Sequence, residues 1–366
     1  MKADIITLHY INHYGSLLQT YATTRMFEKM GFEAEIIDYI RPNAQEKELI
    51  RAGLESKGYG KNVLKKAGFV ISKKIENKKR KEFSERFLKK NVRMTRRFVD
   101  YYDLKKNPPE ADVYVTGSDQ TWNSDYNGGI LPAYYLDFAP EGKKRIGYSV
   151  SIGMPEIPAA EQEQTREYVM KYSAISVREN TAKQLLETLG YKNVTHILDP
   201  TLVLNRDDWM PMVAKRMIKG KYIIIYKLNP SPELEEFAVK LAEETGCQIV
   251  RMSYYLNHLK LRGKMIYSPE VEEFLSLIYH ADYVLTDSFH CLAFSINFGK
   301  EFFAFYPGKY STRLRSLLEL TNTTDRVITD TSKYNLAPID YEYVNMVLIK
   351  EREKAAEFIR KNCIEG

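Results

Sequence analysis

Long apolar runs, paired cysteines and phosphate-loop glycine signatures are all missing from this chain. No hydrophobic stretch approaches the ~20 residues of a membrane-spanning helix, so no such span is expected. The three cysteines, Cys247, Cys291 and Cys363, are odd in number and show no C-x-x-C or metal-ligand spacing. That excludes a zinc ribbon or a dithiol redox motif and fits a reducing compartment. No G-x-G-x-x-G fingerprint occurs, so a dinucleotide site is not supported. Met1-Lys2-Ala3-Asp4-Ile5-Ile6-Thr7 leads straight into a strand rather than a signal peptide, and a cytoplasmic protein is expected. Charge of one sign is not spread evenly. The net charge is +6, yet residues 57–97 alone hold 16 Lys and Arg against 3 Glu. That segment lacks interleaved aromatics or a recognisable module, which argues against nucleic acid.

What the chain does have is a globular balance, 44% hydrophobic and 28% charged over 366 residues, enough for two domains. The stretch around which the rest is organised is Thr286–Ser295. Just before it, a β-branched and aromatic run, Asp282-Tyr283-Val284-Leu285, reads as a buried strand. The polar turn Asp287-Ser288 follows, then an apolar helix closed by Gly299 and a second strand, Glu301–Tyr306. In parallel sheets, ligands gather at the carboxyl ends of strands, where helix N-termini favour anions. Ser288 and His290 fall at such a place; with no ligand there, they are simply a capped helix start.

The amino-terminal part has the same rhythm. A strand ends near Tyr10, and the turn Asn12-His13-Tyr14-Gly15-Ser16 leads into a helix that stops at Gly31. A strand follows at Glu33–Ile40, which makes a βαβ unit. This turn reads either as a ligand loop or as a plain connection with Ser16 as cap. Residues 45–106 interrupt the pattern as a basic, helical insertion with few strand signals. It reads as a solvated face or as an attractor for a polyanion or lipid headgroups. The strand Ala111–Thr116 then leads into the turn Gly117-Ser118-Asp119-Gln120-Thr121-Trp122-Asn123, where Trp122 either packs or stacks on a sugar ring. Tyr134–Phe138 and Lys144–Ser151 read as strands. Ala174–Asn180 reads as a strand ending in Arg178, which suits a bidentate anion contact or an ion pair with Glu179 or a sheet-edge Asp. The division expected is a first Rossmann-like domain over 1–205, a linker near Leu202–Trp209, a second over 206–340 and a terminal helix over 341–366.

Five pieces in order resemble the polysaccharide pyruvyl transferase family: Asn12–Tyr21, Gly117–Asn123, Ile175–Asn180, Leu198–Thr201 and Leu285–His290. The resemblance implies two facing Rossmann-like domains, glycosyltransferase-B-like, with a cleft between them. It implies transfer of a pyruvyl group from phosphoenolpyruvate to a pair of sugar hydroxyls, forming a ketal on a surface or capsular polysaccharide or its lipid-linked precursor. Arg178 and His290 match positions tied to donor binding and catalysis. Many members have Arg-Leu-His where this chain has Ser288-Phe289-His290.

The expected assignment follows. His290, Arg178 and Asp119 are catalytic; Ser288, Phe289, Arg313 and Arg315 bind the donor. Asn12, Tyr14, Gly15, Ser16, Gln120, Trp122 and Asn123 bind the acceptor. No metal or cofactor is expected beyond phosphoenolpyruvate as co-substrate. Peripheral association with the inner membrane face would run through the basic 57–97 segment. The alternatives are a nucleotide-sugar glycosyltransferase of the same fold and a non-catalytic glycan-binding assembly factor.

Overall fold

A computed structural model describes residues 1–11, 13–44, 46–57, 62–308 and 311–365. The chain divides into two compact units, one formed by Met1–Pro200 with Lys354–Gly366, the other by Thr201–Glu353. Each is an α/β unit built on one parallel sheet.

The first sheet has seven strands: β1 Lys2–Ile6, β2 Glu33–Tyr39, β3 Met94–Phe98, β4 Val113–Thr116, β5 Lys144–Val150, β6 Ala174–Val177 and β7 Val194–His196. Their order is β3-β2-β1-β4-β5-β6-β7. All neighbours pair in parallel. The central strands are buried on both faces, so Ile5, Val113, Val115, Ile146 and Ile175 have no exposed surface. The order reverses beside β1, where β2 lies on one side and β4 on the other. Ligands of doubly wound sheets bind at such a switch point.

Asp4 breaks the apolar run of β1. Its side chain is fully buried, its nearest cation is Lys2 at 3.4 Å, and burial pushes its carboxyl up to about 6. A carboxyl raised in the folded state binds its proton more tightly there than in the unfolded chain. Stability is therefore lost as pH rises from the unfolded value near ~4 to the folded one, and stays lost above it. Asp4→Asn should raise stability at pH 7 by roughly 1–3 kcal/mol, with the gain vanishing near pH 4. Thermal unfolding of both proteins at the two pH values checks this, and an equal gain at both would refute it.

The second sheet has five strands: β8 Tyr222–Tyr226, β9 Gln248–Ser253, β10 Lys264–Tyr267, β11 Tyr283–Thr286 and β12 Glu301–Ala304, ordered β10-β9-β8-β11-β12. It too is parallel throughout. The pattern again reverses next to the first strand of the unit, so β8 and β11 lie side by side.

Several expectations are corrected. The basic segment, poor in strand signals, still contains a strand: β3 lies within it and pairs with β2 at the sheet edge, where one side needs no partner strand and polar residues are tolerated. Tyr134–Phe138 is not a strand. Pro132–Tyr135 forms a 3-10 turn with Pro132 at its start, the position where a missing N–H costs nothing. Leu202–Trp209 is not a linker. Leu202 and Trp209 are fully buried, and Trp209 packs edge-on to Phe294 at 4.9 Å in the second unit. The terminal helix, Tyr341–Ile359, is not a body of its own; it begins with the second unit and its end belongs to the first. There, Ile359 and Cys363 are fully buried.

Candidate functional site

In the first unit, the loops after β1, β4, β5, β6 and β7 converge on Arg178. The side chain has no exposed surface, and Nη1 donates to Asp199 Oδ2 at 2.7 Å. Nη2 donates to Asp119 Oδ1 at 3.3 Å, and Nε stands 3.8 Å from Glu179 Oε2. Burial works against the guanidinium charge, but Asp199, Asp119 and Glu179 outweigh it and raise its pKa. The carboxylates are themselves held. Ser16 Oγ donates to Asp119 Oδ2 at 2.8 Å, and Ser118 Oγ to Asp199 Oδ2 at 2.9 Å. Glu179 Oε1 accepts from Ser151 Oγ and from the backbone N–H groups of Ile152 and Gly153, at 2.9–3.0 Å. Asp119 adopts a left-handed φ of 78°. Such strain in a non-glycine residue persists only where surroundings enforce it.

Arg178 is therefore the counter-ion at the centre of three buried carboxylates, the ion-pair alternative read from the sequence. Its guanidinium is enclosed by those three carboxylates, with no exposed side-chain surface. The expected acceptor residues here are mostly scaffold. His13, not Ser16, caps the helix Tyr14–Lys29, accepting from Gly15 N at 3.2 Å, so Gly15 sits in a first helical turn rather than a ligand loop. Tyr14 is buried and stacks on Phe83 at 4.9 Å. Trp122 is a packing residue, stacked on Tyr135 at 5.0 Å, with Nε1–H donating to Tyr134 O at 2.9 Å. Asn123 is buried and caps the short helix Ser124–Asn127. Gln120 is only half-buried, although its Oε1 accepts from Asn123 Nδ2 at 2.9 Å. Asn12 lies outside the described residues.

Sequence reading passed over His9, at the end of β1 and fully buried. Its Nε2 lies 3.2 Å from Asp38 Oδ1 and its Nδ1 3.2 Å from Thr7 O. Arg97 Nε donates to the other Asp38 oxygen at 3.0 Å. Burial would raise the Asp38 carboxyl, but His9 and Arg97 together hold it below the ordinary value. Thr7-Leu8-His9-Tyr10 carried no spacing signal, because the partners come from β2 and β3.

In the second unit, Thr286 Oγ1 ends β11 by donating to Tyr226 O at 2.6 Å and accepts from Ser288 N at 3.0 Å. Ser288 is the N-cap of the helix Phe289–Asn297, its side chain accepting from Cys291 N. Asp287 turns the other way. Its carboxylate accepts from Leu228 N, Asn229 N and Asn229 Nδ2 at 2.7–2.9 Å, and so ties the loop after β8 to the end of β11. Burial raises its pKa despite these bonds. His290 is in the first helical turn, beside the Phe289 ring at 5.2 Å. Burial pushes the Cys291 thiol up to about 12. The Arg313 guanidinium lies over the Phe289 ring at 5.8 Å, which places a cation beside the turn carrying His290. Arg315 stands over Tyr306 instead, at 5.6 Å. Among the described residues, no group of three or more His, Cys, Asp or Glu is placed to hold a metal ion, and no helix is long and apolar enough to cross a membrane.

Two parallel Rossmann-like units, each with polar side chains gathered at strand ends, define a glycosyltransferase-B-like α/β fold. The UDP-GlcNAc 2-epimerase of Methanocaldococcus jannaschii shares it at a TM-score of 0.54 and 14% identity, with both chains covered in full. Weaker likenesses reach a putative UDP-N-acetylglucosamine 2-epimerase of Listeria monocytogenes, at 0.49 and 12% over 98% of this chain and 90% of that one. They also reach the E. coli heptosyltransferase WaaC, at 0.42 and 10% over 96% and 100%. No curated protein matches the sequence. The family profile described as "Polysaccharide pyruvyl transferase" matches residues 13–309. The chain belongs to that family, a family of transferases.

Proposed function

We propose that this protein transfers a pyruvyl group from phosphoenolpyruvate to two hydroxyls of a glycan or its lipid-linked precursor, forming a cyclic ketal. The observation that carries the proposal is the turn at the end of β11. There a helix N-terminus, His290 in its first turn and the Arg313 guanidinium beside Phe289 occur together in a family member. Phosphoenolpyruvate brings a phosphate and a carboxylate. Backbone N–H groups of a helix start, with its dipole, suit one anion, and a guanidinium suits the other. On this reading Arg313 supplies the cation that an Arg directly before the histidine, absent from this chain, would supply.

The reaction balances as follows. One hydroxyl oxygen bonds to the enol carbon while a proton reaches the methylene carbon and makes it methyl. The second hydroxyl oxygen then bonds to the same carbon, the carbon–oxygen bond to phosphate breaks, and the remaining hydroxyl proton leaves with inorganic phosphate. His290 is assigned the proton transfers, for which an imidazole suits near-neutral pH. Arg178 and its carboxylates hold the loops of the first unit in place.

Binding is tested by thermal unfolding with millimolar phosphoenolpyruvate or with UDP. A ligand at ~100 times its Kd adds ~2.7 kcal/mol, a rise of several degrees in a chain of this size. A rise with phosphoenolpyruvate and none with UDP is expected. The reverse would favour a nucleotide-sugar glycosyltransferase and sink the donor assignment.

A further inference from the structure

The helix Val63–Asn91 has two unlike sides. Its inner side is fixed to the first unit. Phe83 and Phe87 are buried, the first stacked on Tyr14 and the second edge-on to Tyr21 at 6.1 Å. The outer side of its first half carries large apolar residues in water. Leu64 is 86% exposed, Ile71 60% and Ile75 46%, with Val63 at 74% at the helix start. Leu64, Ile71 and Ile75 are spaced seven and four apart, which puts them on one stripe turned away from Phe83 and Phe87. Exposed lysines bracket the stripe: Lys74 and Lys78 along one flank, Lys65 and Lys79 along the other. The one buried acid in this half, Glu76, pairs with Lys73 at 2.6 Å on the inner side.

From this arrangement we infer that the outer face of Leu64–Lys79 is a docking surface for an anionic lipid bilayer. Apolar side chains in a row enter the acyl boundary, while lysines on both flanks reach headgroup phosphates. A second copy of the chain fits poorly, since it would bring the same lysines against these. Nucleic acid would leave Leu64, Ile71 and Ile75 unused. The inference deepens the proposed function and rests on its glycan acceptor: it identifies the acceptor class as lipid-linked and held at a membrane.

The test is flotation of the full chain with phosphatidylcholine vesicles, with and without phosphatidylglycerol. Binding is expected only with phosphatidylglycerol, weakening as salt rises. The triple variant Leu64→Gln, Ile71→Gln, Ile75→Gln should bind at least tenfold more weakly while unfolding at the wild-type temperature, because those side chains already face water. Lys74→Gln, Lys78→Gln and Lys79→Gln together should weaken binding and flatten its salt dependence. Absent binding by wild type, or binding indifferent to both sets, would overturn the inference. So would a wild-type dimer that the triple Gln variant converts to monomer, since the stripe would then be a contact between copies. No turnover is needed, so failure here leaves phosphoenolpyruvate binding intact, and failure of the donor assignment leaves vesicle binding intact.

Discussion

Arg178→Ala should lower the unfolding temperature by about 10 °C and make the purified protein prone to aggregation. The guanidinium is the shared counter-ion of Asp119, Glu179 and Asp199, in a place with no exposed side-chain surface. Removing one partner of a buried pair typically costs ~3–5 kcal/mol, because the other partner's charge stays buried. Here three carboxylates would face one another without it. In a unit of this size, each kcal/mol moves the transition by roughly 2–4 °C. Asp199→Asn should cost less, since it neutralises one of the three carboxylates and leaves the guanidinium the charges of the other two. Thermal unfolding of both variants decides the matter. An Arg178→Ala protein as stable as wild type, yet unable to bind phosphoenolpyruvate, would return Arg178 to the donor site.

His290→Ala should do the opposite: leave the fold and abolish the chemistry. A positioned acid–base group contributes ~10²–10⁴-fold, and the loss should appear in kcat with unfolding shifted by only a few degrees. The helix start survives, because its cap is Ser288 and its anchor is Thr286 on Tyr226 O. Steady-state rates of phosphate release settle it, and a kcat within twofold of wild type would remove His290 from the mechanism. His290 and Arg178 thus separate cleanly: one variant folds without turning over, the other fails before turnover can be asked about.

The contrast between these two residues marks what the sequence makes legible. β11 and the helix after it are contiguous, so hydrophobic pattern, polar turn and closing glycine locate His290 and its cap together. The βα rhythm carries the rest of both sheets in the same way. Arg178 was placed at its strand end correctly, but its job depends on residues remote in the chain. Asp199 is 21 positions away, Asp119 is 59, and Ser16 reaches Asp119 across 103. No local pattern reveals that an arginine at a strand end is enclosed by carboxylates rather than open to a ligand. The same holds for His9, whose partners Asp38 and Arg97 come from other strands. Edge strands were hidden for another reason. β3 and β10 each have a single neighbour in their sheet, so they carry exposed basic residues where a central strand would be apolar. Trp122 shows the limit of residue type as evidence: an indole beside Gln and Asn suits a sugar site, but here Tyr135 covers its face and Tyr134 O takes its N–H.

The central claim is that the enol carbon of phosphoenolpyruvate ends on a glycan. Its most direct test is to incubate the protein with phosphoenolpyruvate and a panel of lipid-linked saccharides, measuring inorganic phosphate and product mass together. The account predicts phosphate released only when an acceptor is present, one phosphate for each glycan that gains a pyruvate ketal, and none with His290→Ala. Phosphoenolpyruvate left untouched across the panel, while a UDP-sugar is consumed and its sugar appears on the acceptor, would contradict it.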